Sequence, residues 1–342
     1  MLRDELLGTL RAHLGTPTLA FTDAPRRLGG GFFTENHAFR LADAPPGWDG
    51  PLVLRLFPSS APADLAFREA AVQTALTNQQ FPAAPVVWFD DAARLDHRRF
   101  FVMGLLPGRA VIGGMGAREL ARAARFSRRL PEITASIQSR LHDQDPAELA
   151  QALGDDGDGV DRAVATLQAD IDGGAKGFGA AVRWLVEQRP VDPARGVICH
   201  GDLWGGNILV DHRGHTTGVL DWTTSTISEP ALDVGATALA FCLIPMPLPG
   251  PVRAALERRG RALYGRYLRA YEHRSDAGLR ARPYYEALRC ATELSFVASW
   301  RLASASGEHD LPRPSWDAIP DSLIEFFRAR TGVTIALPAR VP

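Results

Sequence analysis

The chain of 342 residues contains a single lysine, Lys176, although lysine and arginine together number 38. Any role that calls for a cation falls to arginine, whose planar fork differs from an ammonium in reach and hydrogen-bonding geometry. Cysteine is scarce as well: Cys199, Cys242 and Cys290 lie far apart and form no C-x-x-C pair. They read as reduced, buried thiols of a cytoplasmic protein. No long apolar run occurs. The most apolar stretch, 234–249, carries Pro245, Pro247 and Pro249 and is too short to span a bilayer. The N-terminus has acidic residues and no apolar core, so no secretory signal is expected. A formal net charge of −1 offers no general attraction to nucleic acid or to an anionic membrane surface. Internal repeats are absent. With 46% hydrophobic and 23% charged residues, the composition is that of an ordinary soluble globular protein. Its length allows one large domain or two lobes sharing a cleft.

The pattern of elements changes along the chain. Leu6, Leu7, Leu10 and Leu14 recur at helical spacing over 2–14. Residues 27–57 combine a glycine run, the alternating segment 36–41, a Pro/Gly-rich turn and the apolar run Leu52–Phe57, which predicts antiparallel strands. A helix is expected over 62–80 and strands over 85–89 and 100–104. Beyond Leu105-Leu-Pro-Gly108 the strand pattern stops. Helical segments are expected over 117–143, 160–171, 176–188, 230–243, 251–274, 282–305 and 316–330, with a small β region at 196–221. The acidic stretch Asp155–Gly159 lacks the oxygen ligands of an EF-hand at Val160 and Leu167, and reads as a solvated turn.

Residues 200–207 read His-Gly-Asp-Leu-Trp-Gly-Gly-Asn, and Leu220-Asp221-Trp222 follows fourteen residues later. The spacing H-x-D-x-x-x-x-N is that of a kinase catalytic loop, with Gly201 where protein kinases carry arginine. Asp202 follows the short apolar strand Gly196–Cys199, so its carboxylate emerges at a strand end, suited to orienting and deprotonating an attacking hydroxyl. Asn207 opens the strand Ile208–Asp211. The turn His212-Arg-Gly214 reverses the chain, and Thr216–Leu220 returns to bring Asp221 beside Asn207. An amide oxygen and a carboxylate at one edge suit Mg²⁺ held against nucleotide phosphates. A plain surface hairpin with capping Asp and Asn is the bland alternative, and four matched positions disfavour it.

The segment His200–Asp211 with Gly218-Val-Leu-Asp-Trp222 resembles the signature of the aminoglycoside phosphotransferase and choline-kinase-like enzymes. The resemblance is strong over 196–235 and diffuse elsewhere. It implies an α+β, two-lobed protein-kinase-like fold with a β-rich N-terminal lobe and a mainly helical C-terminal lobe. The expected division is a nucleotide-binding lobe at 1–104, a hinge at 105–109 and a lobe carrying the catalytic loop and acceptor site at 110–342. It implies ATP and Mg²⁺ as cofactors and a small-molecule hydroxyl as acceptor. Asp202 would then be the catalytic aspartate, Asn207 and Asp221 the magnesium ligands, and Asp233 the buried aspartate that, with His200, supports the loop.

Upstream, Arg55 lies mid-strand where this family places a cation on the α/β-phosphates, and Glu69 on the next helix is its natural partner. Many relatives carry lysine there. A surface-strand arginine paired with a helix glutamate is the simpler alternative. Gly29, Gly30 and Gly31 could let backbone N–H groups approach phosphates, or form a plain hairpin turn. Position alone puts Met103–Leu105, and so Met103 and Leu105, where a hinge meets a purine. His142 reads as a structural histidine at a helix end. Arg118, Arg122, Arg125, Arg128 and Arg129 read as a solvated helix face.

Glu229-Pro230 comes eight residues after Asp221, which leaves no room for the activation segment of a protein kinase, so no protein substrate is expected. A nucleotide-binding pseudokinase is the non-enzymatic alternative, and only Arg55 speaks for it. Residues 250–342 hold fifteen Arg against ten Asp plus Glu, which weakens a polycationic acceptor. Glu293, Trp300, Glu308, Asp310 and Trp316 could contribute to an acceptor wall, although core packing or a solvated face is the simpler role for each.

Overall fold

The computed structural model describes residues 2–29, 34–114, 116–154, 159–191, 196–246, 248–307 and 313–340. In chain order its elements are α1 (Leu2–Leu14), β1 (Ala20–Arg27), β2 (Glu35–Ala42), β3 (Leu52–Leu56), α2 (Leu65–Asn78), β4 (Val86–Leu95), β5 (Arg98–Gly104) and β6 (Arg109–Ala110). Then come α3 (Ala117–Phe126), α4 (Leu130–His142), α5 (Ala147–Leu153), α6 (Gly159–Asp172), α7 (Gly179–Glu187), β7 (Val197–Cys199), β8 (Ile208–Val210), β9 (Thr216–Val219) and β10 (Thr226–Ser228). The chain closes with α8 (Pro230–Cys242), α9 (Gly250–Glu272), α10 (Arg282–Ala305) and α11 (Pro320–Thr331). These pack as two compact units. The first comprises Met1–Glu119, Gln151–Leu153 and Gly206–Thr223, and the second Leu120–Ala150, Gly154–Gly205 and Thr224–Pro342.

The first unit is built on a five-stranded antiparallel sheet in the order β1-β2-β3-β5-β4. Its central strand β3 is buried at all five positions. Because successive side chains on a strand point to opposite faces, Leu52, Leu54 and Leu56 join the core that includes Leu6 and Leu10 of α1. Val53 and Phe57 join the core that includes Ala66 and Ala70 of α2. Arg55 shares the parity of Val53 and Phe57 and is therefore directed toward α2. The neighbouring strand repeats the division, with Phe100 and Val102 in one core and Phe101 and Met103 in the other. A second sheet, β6-β8-β9, carries the 206–223 hairpin within this unit.

The second unit is mainly helical. Tyr267, Leu288, Ala291, Leu294, Leu323 and Phe327 lie in one core, and β7 pairs antiparallel with β10. The helical stretch expected at 117–143 is two helices. Pro131 falls in the first turn of α4 and has no N–H to donate to the preceding turn, so α3 stops at Phe126 and a fresh helix begins. Pro320 likewise opens α11 after a 3₁₀ turn at Ser315–Ala318. The short α5 was not anticipated, because seven residues hold too little periodicity to register. Among the described residues, no helix is long and apolar enough to cross a membrane.

Candidate functional site

In the first unit Glu69 and Asp221 meet at Arg55. This guanidinium is buried at the centre of β3, and its Nε donates to the Glu69 carboxylate at 2.9 Å. A second nitrogen donates to Asp221 Oδ1 at 2.8 Å, and a long contact of 3.5 Å reaches Asn36 Oδ1. Asn36 is the cross-strand register partner of Arg55. Sequence reading missed it, although strand pairing alone would have brought the two together. Glu69 is also buried and accepts from the Trp222 backbone N–H at 3.4 Å. Burial pushes the Glu69 carboxyl up to about 7, with Arg55 pulling it back only in part. Arg55 itself loses by burial, but Glu69 and Asp221 outweigh that and raise it, so the cation stays charged.

Asn207 and Asp221 lie at one end of the hairpin. The Leu220 N–H donates to the Asn207 carbonyl at 2.9 Å, which places the next residue, Asp221, at the same end. Asp221 adopts φ 65°, a left-handed conformation that Asp tolerates better than most residues. Thr223 Oγ1 donates to Asp221 Oδ1 at 3.0 Å, and Trp222 anchors the turn in an edge-on contact with Phe81. An amide oxygen and a carboxylate are hard oxygen donors. Together they fit a magnesium ion that takes its other ligands from phosphate and water.

Gly29 is exposed, whereas Gly30 and Gly31 lie outside the described residues. Met103 is paired with Val53 on one side and Val86 on the other. The Leu105 N–H donates to Pro51 O and the Gly104 N–H to Pro85 O, each at 2.9 Å.

In the second unit the loop that bears Asp202 is organised by Asp233, a fully buried residue in the first turn of α8. One Asp233 oxygen accepts the Gly201 N–H at 2.7 Å and the other the His200 N–H at 3.0 Å. His142, at the end of α4, reaches Asp233 Oδ2 at 3.1 Å through Nε2 and the Tyr271 hydroxyl at 2.6 Å through Nδ1. Burial raises the Asp233 carboxyl, yet the hydrogen bond and charge of His142, helped by His200 and Gln138, more than offset this and lower it to about 2. Cys199 lies near this cluster. Burial pushes its thiol well up, and its sulfur sits against the carbonyls of Ser228 and Glu229. The Asp233 oxygens are occupied by backbone donors, which makes the cluster a brace.

Gly201 sits at φ 79°, where a Cβ would come within 2.6 Å of the Thr224 carbonyl. The Asp202 N–H donates to His200 Nδ1 at 3.2 Å, and Thr224 Oγ1 donates to the His200 carbonyl at 3.0 Å. The Asp202 side chain is 40% exposed, and Arg289 on α10 donates to its Oδ1 at 3.1 Å. Sequence reading missed Arg289. No local signal could have found it, because 87 residues separate it from its partner.

An antiparallel sheet with a buried arginine–glutamate pair, followed by a helical unit that braces an H-G-D loop, defines a protein-kinase-like fold. The chain belongs to the phosphotransferase enzyme family, which matches residues 26–284. Solved structures of other proteins share the fold. A Ralstonia eutropha protein provisionally named as an aminoglycoside phosphotransferase aligns with TM-score 0.65 at 19% identity, over 96% of this chain and 98% of that one. A thermostable mutant of the aminoglycoside phosphotransferase APH(4)-Ia, in complex with ADP and hygromycin B, aligns with TM-score 0.60 at 15% identity, covering 96% and 98%. A Plasmodium vivax ethanolamine kinase aligns with TM-score 0.60 at 14% identity, covering 95% and 88%. The uncharacterized protein YcbJ of Bacillus subtilis is 44% identical over 41 residues, and that match spans 12% of this chain and 13% of the relative.

Proposed function

We propose that the protein is a kinase that uses ATP and Mg²⁺ to phosphorylate a hydroxyl group of a small molecule. The observation that carries this reading is the placement of Asn207 and Asp221 at one hairpin end, with Arg55 held between Asp221 and Glu69. In this reading Arg55 neutralises the α/β-phosphates and Glu69 keeps its guanidinium in place. Backbone groups of Gly29–Gly31 approach the phosphates, and Met103 and Leu105 flank the purine. Asn207 and Asp221 would hold the magnesium ion, which would supply positive charge against the phosphates. Asp202 orients the acceptor hydroxyl. The acceptor oxygen attacks the γ-phosphorus, the bond to the β-phosphate oxygen breaks, ADP departs and the hydroxyl proton passes to Asp202. His200 and Asp233 support the loop. In a loose transition state, positioning counts for more than basicity.

The lobes proposed are 1–104 for nucleotide, 105–109 as hinge and 110–342 for catalysis and acceptor. ATP is supported by the relative that holds ADP. A small acceptor is supported by the brevity of the chain after Asp221, where β10 begins at Thr226 and α8 at Pro230. The excess of arginine in residues 250–342 favours an acceptor other than a polycation. Three buried, unpaired thiols favour a cytoplasmic setting.

A second reading, a nucleotide-binding pseudokinase, is favoured by one observation: arginine stands where relatives carry lysine, and it is engaged by Asp221. ATP turnover with Mg²⁺ over a panel of hydroxyl acceptors, with Asp202→Ala alongside, separates the two. The kinase reading expects phosphorylated product that the Asp202→Ala variant does not form. Nucleotide binding without any phosphorylated acceptor would establish the pseudokinase.

A further inference from the structure

We infer that Arg289 is the positioning residue for Asp202, supplying from α10 the cation that the H-G-D loop lacks at Gly201. This rests on the kinase reading of Asp202. One guanidinium grips two consecutive loop residues: it donates to the Gly201 carbonyl at 2.9 Å and to Asp202 Oδ1 at 3.1 Å. Glu293, one turn further along α10, takes the same terminal nitrogen at 2.5 Å and so orients the fork. The flanking residues Leu288 and Cys290 are buried, which fixes the backbone from which Arg289 reaches. Its side chain is only 18% exposed.

A helix ion pair needs Glu293 alone. The added bonds to the loop carbonyl and the carboxylate tie the Asp202 side chain to α10. A carboxylate oxygen engaged by a guanidinium has a fixed direction. The arrangement therefore assigns Asp202 to orientation of the acceptor oxygen, the need that dominates a loose transition state.

The test uses the full-length protein with ATP, Mg²⁺ and an acceptor that the wild type phosphorylates in an Asp202-dependent manner. Arg289→Ala is expected to lower kcat on the order of a hundredfold while leaving the KM for ATP unchanged, since displacement of about 1 Å suffices for such a loss. Millimolar guanidinium chloride, with sodium chloride as control, is expected to restore part of the rate. Arg289→Lys should retain a part of it as well. If Arg289→Ala does not fold, Arg289→Gln keeps hydrogen-bond donors and is expected to show the same kcat loss. Wild-type kcat in both Ala and Gln variants would overturn the inference, as would a loss that tracks folded fraction and ignores guanidinium and lysine. Wild-type protein without Asp202-dependent turnover would instead overturn the kinase reading, and this inference with it.

Discussion

Arg55 donates to Asp221 across 166 residues of sequence, at 2.8 Å, while its Nε holds Glu69. The cation expected to meet nucleotide phosphate is thus fixed between two carboxylates of one unit. Its geometry is set by the fold, and the arginine fork uses both arms in a way that an ammonium cannot.

Replacing Arg55 should expose that dependence. Arg55→Met leaves Glu69 buried without its counter-charge, a change that costs about 3–5 kcal/mol when the orphaned group stays ionised. Burial already raises Glu69 from 4.5 to about 7, so the native state takes up a proton more readily than the unfolded chain. The stability Glu69 contributes is present below pH 4.5 and is lost as pH rises through about 7. The Arg55→Met penalty is therefore expected to be larger at pH 8 than at pH 5.5 in urea unfolding. Arg55→Lys should lose less stability and weaken ATP binding in calorimetry. An equal penalty at both pH values would contradict the ionisation argument.

Asp233 works in the opposite sense. Its carboxyl is lowered from 3.8 to about 2, so its contribution is present above pH 3.8 and disappears as pH falls through about 2. A shift of this size corresponds to about 2 kcal/mol. Asp233→Asn should be destabilised at neutral pH by about that amount, with the difference from wild type closing between pH 4 and pH 2 in chemical denaturation. Turnover should fall as well, because one amide cannot accept both the His200 and Gly201 N–H groups as the carboxylate does.

At Gly201 the fold demands the absence of a side chain. Gly201→Ala would force an alanine into the left-handed region and bring its Cβ within 2.6 Å of the Thr224 carbonyl. A loss of about 1–3 kcal/mol is expected from strain and overpacking together. Thermal unfolding and kcat should both decline, while nucleotide affinity, proposed to rest on Arg55, Asn207 and Asp221, should hold.

Much of this arrangement was legible before any coordinates. The order of strands and helices follows from periodicity and from Pro and Gly positions. The Arg55–Glu69 contact follows from the parity of β3 and the helix after it. Two features were not legible in this way, each for its own reason. The break between α3 and α4 hinges on the single residue Pro131 inside an otherwise helical pattern. Gly30 and Gly31 lie outside the described residues, so the glycine loop remains a reading of sequence.

The sequence by itself determined the local chemistry: an aspartate, an asparagine and a second aspartate at kinase spacing, and arginine in every cationic role but one. These are short-range facts, encoded within a few dozen residues. Tertiary structure alone decided the arginine–carboxylate meetings between distant segments. Arg55 reaches Asp221 and Arg289 reaches Asp202 because the packing of strands and helices brings distant segments within hydrogen-bond range. No periodicity records such a meeting, since it depends on the burial of whole faces and not on any neighbour in the chain.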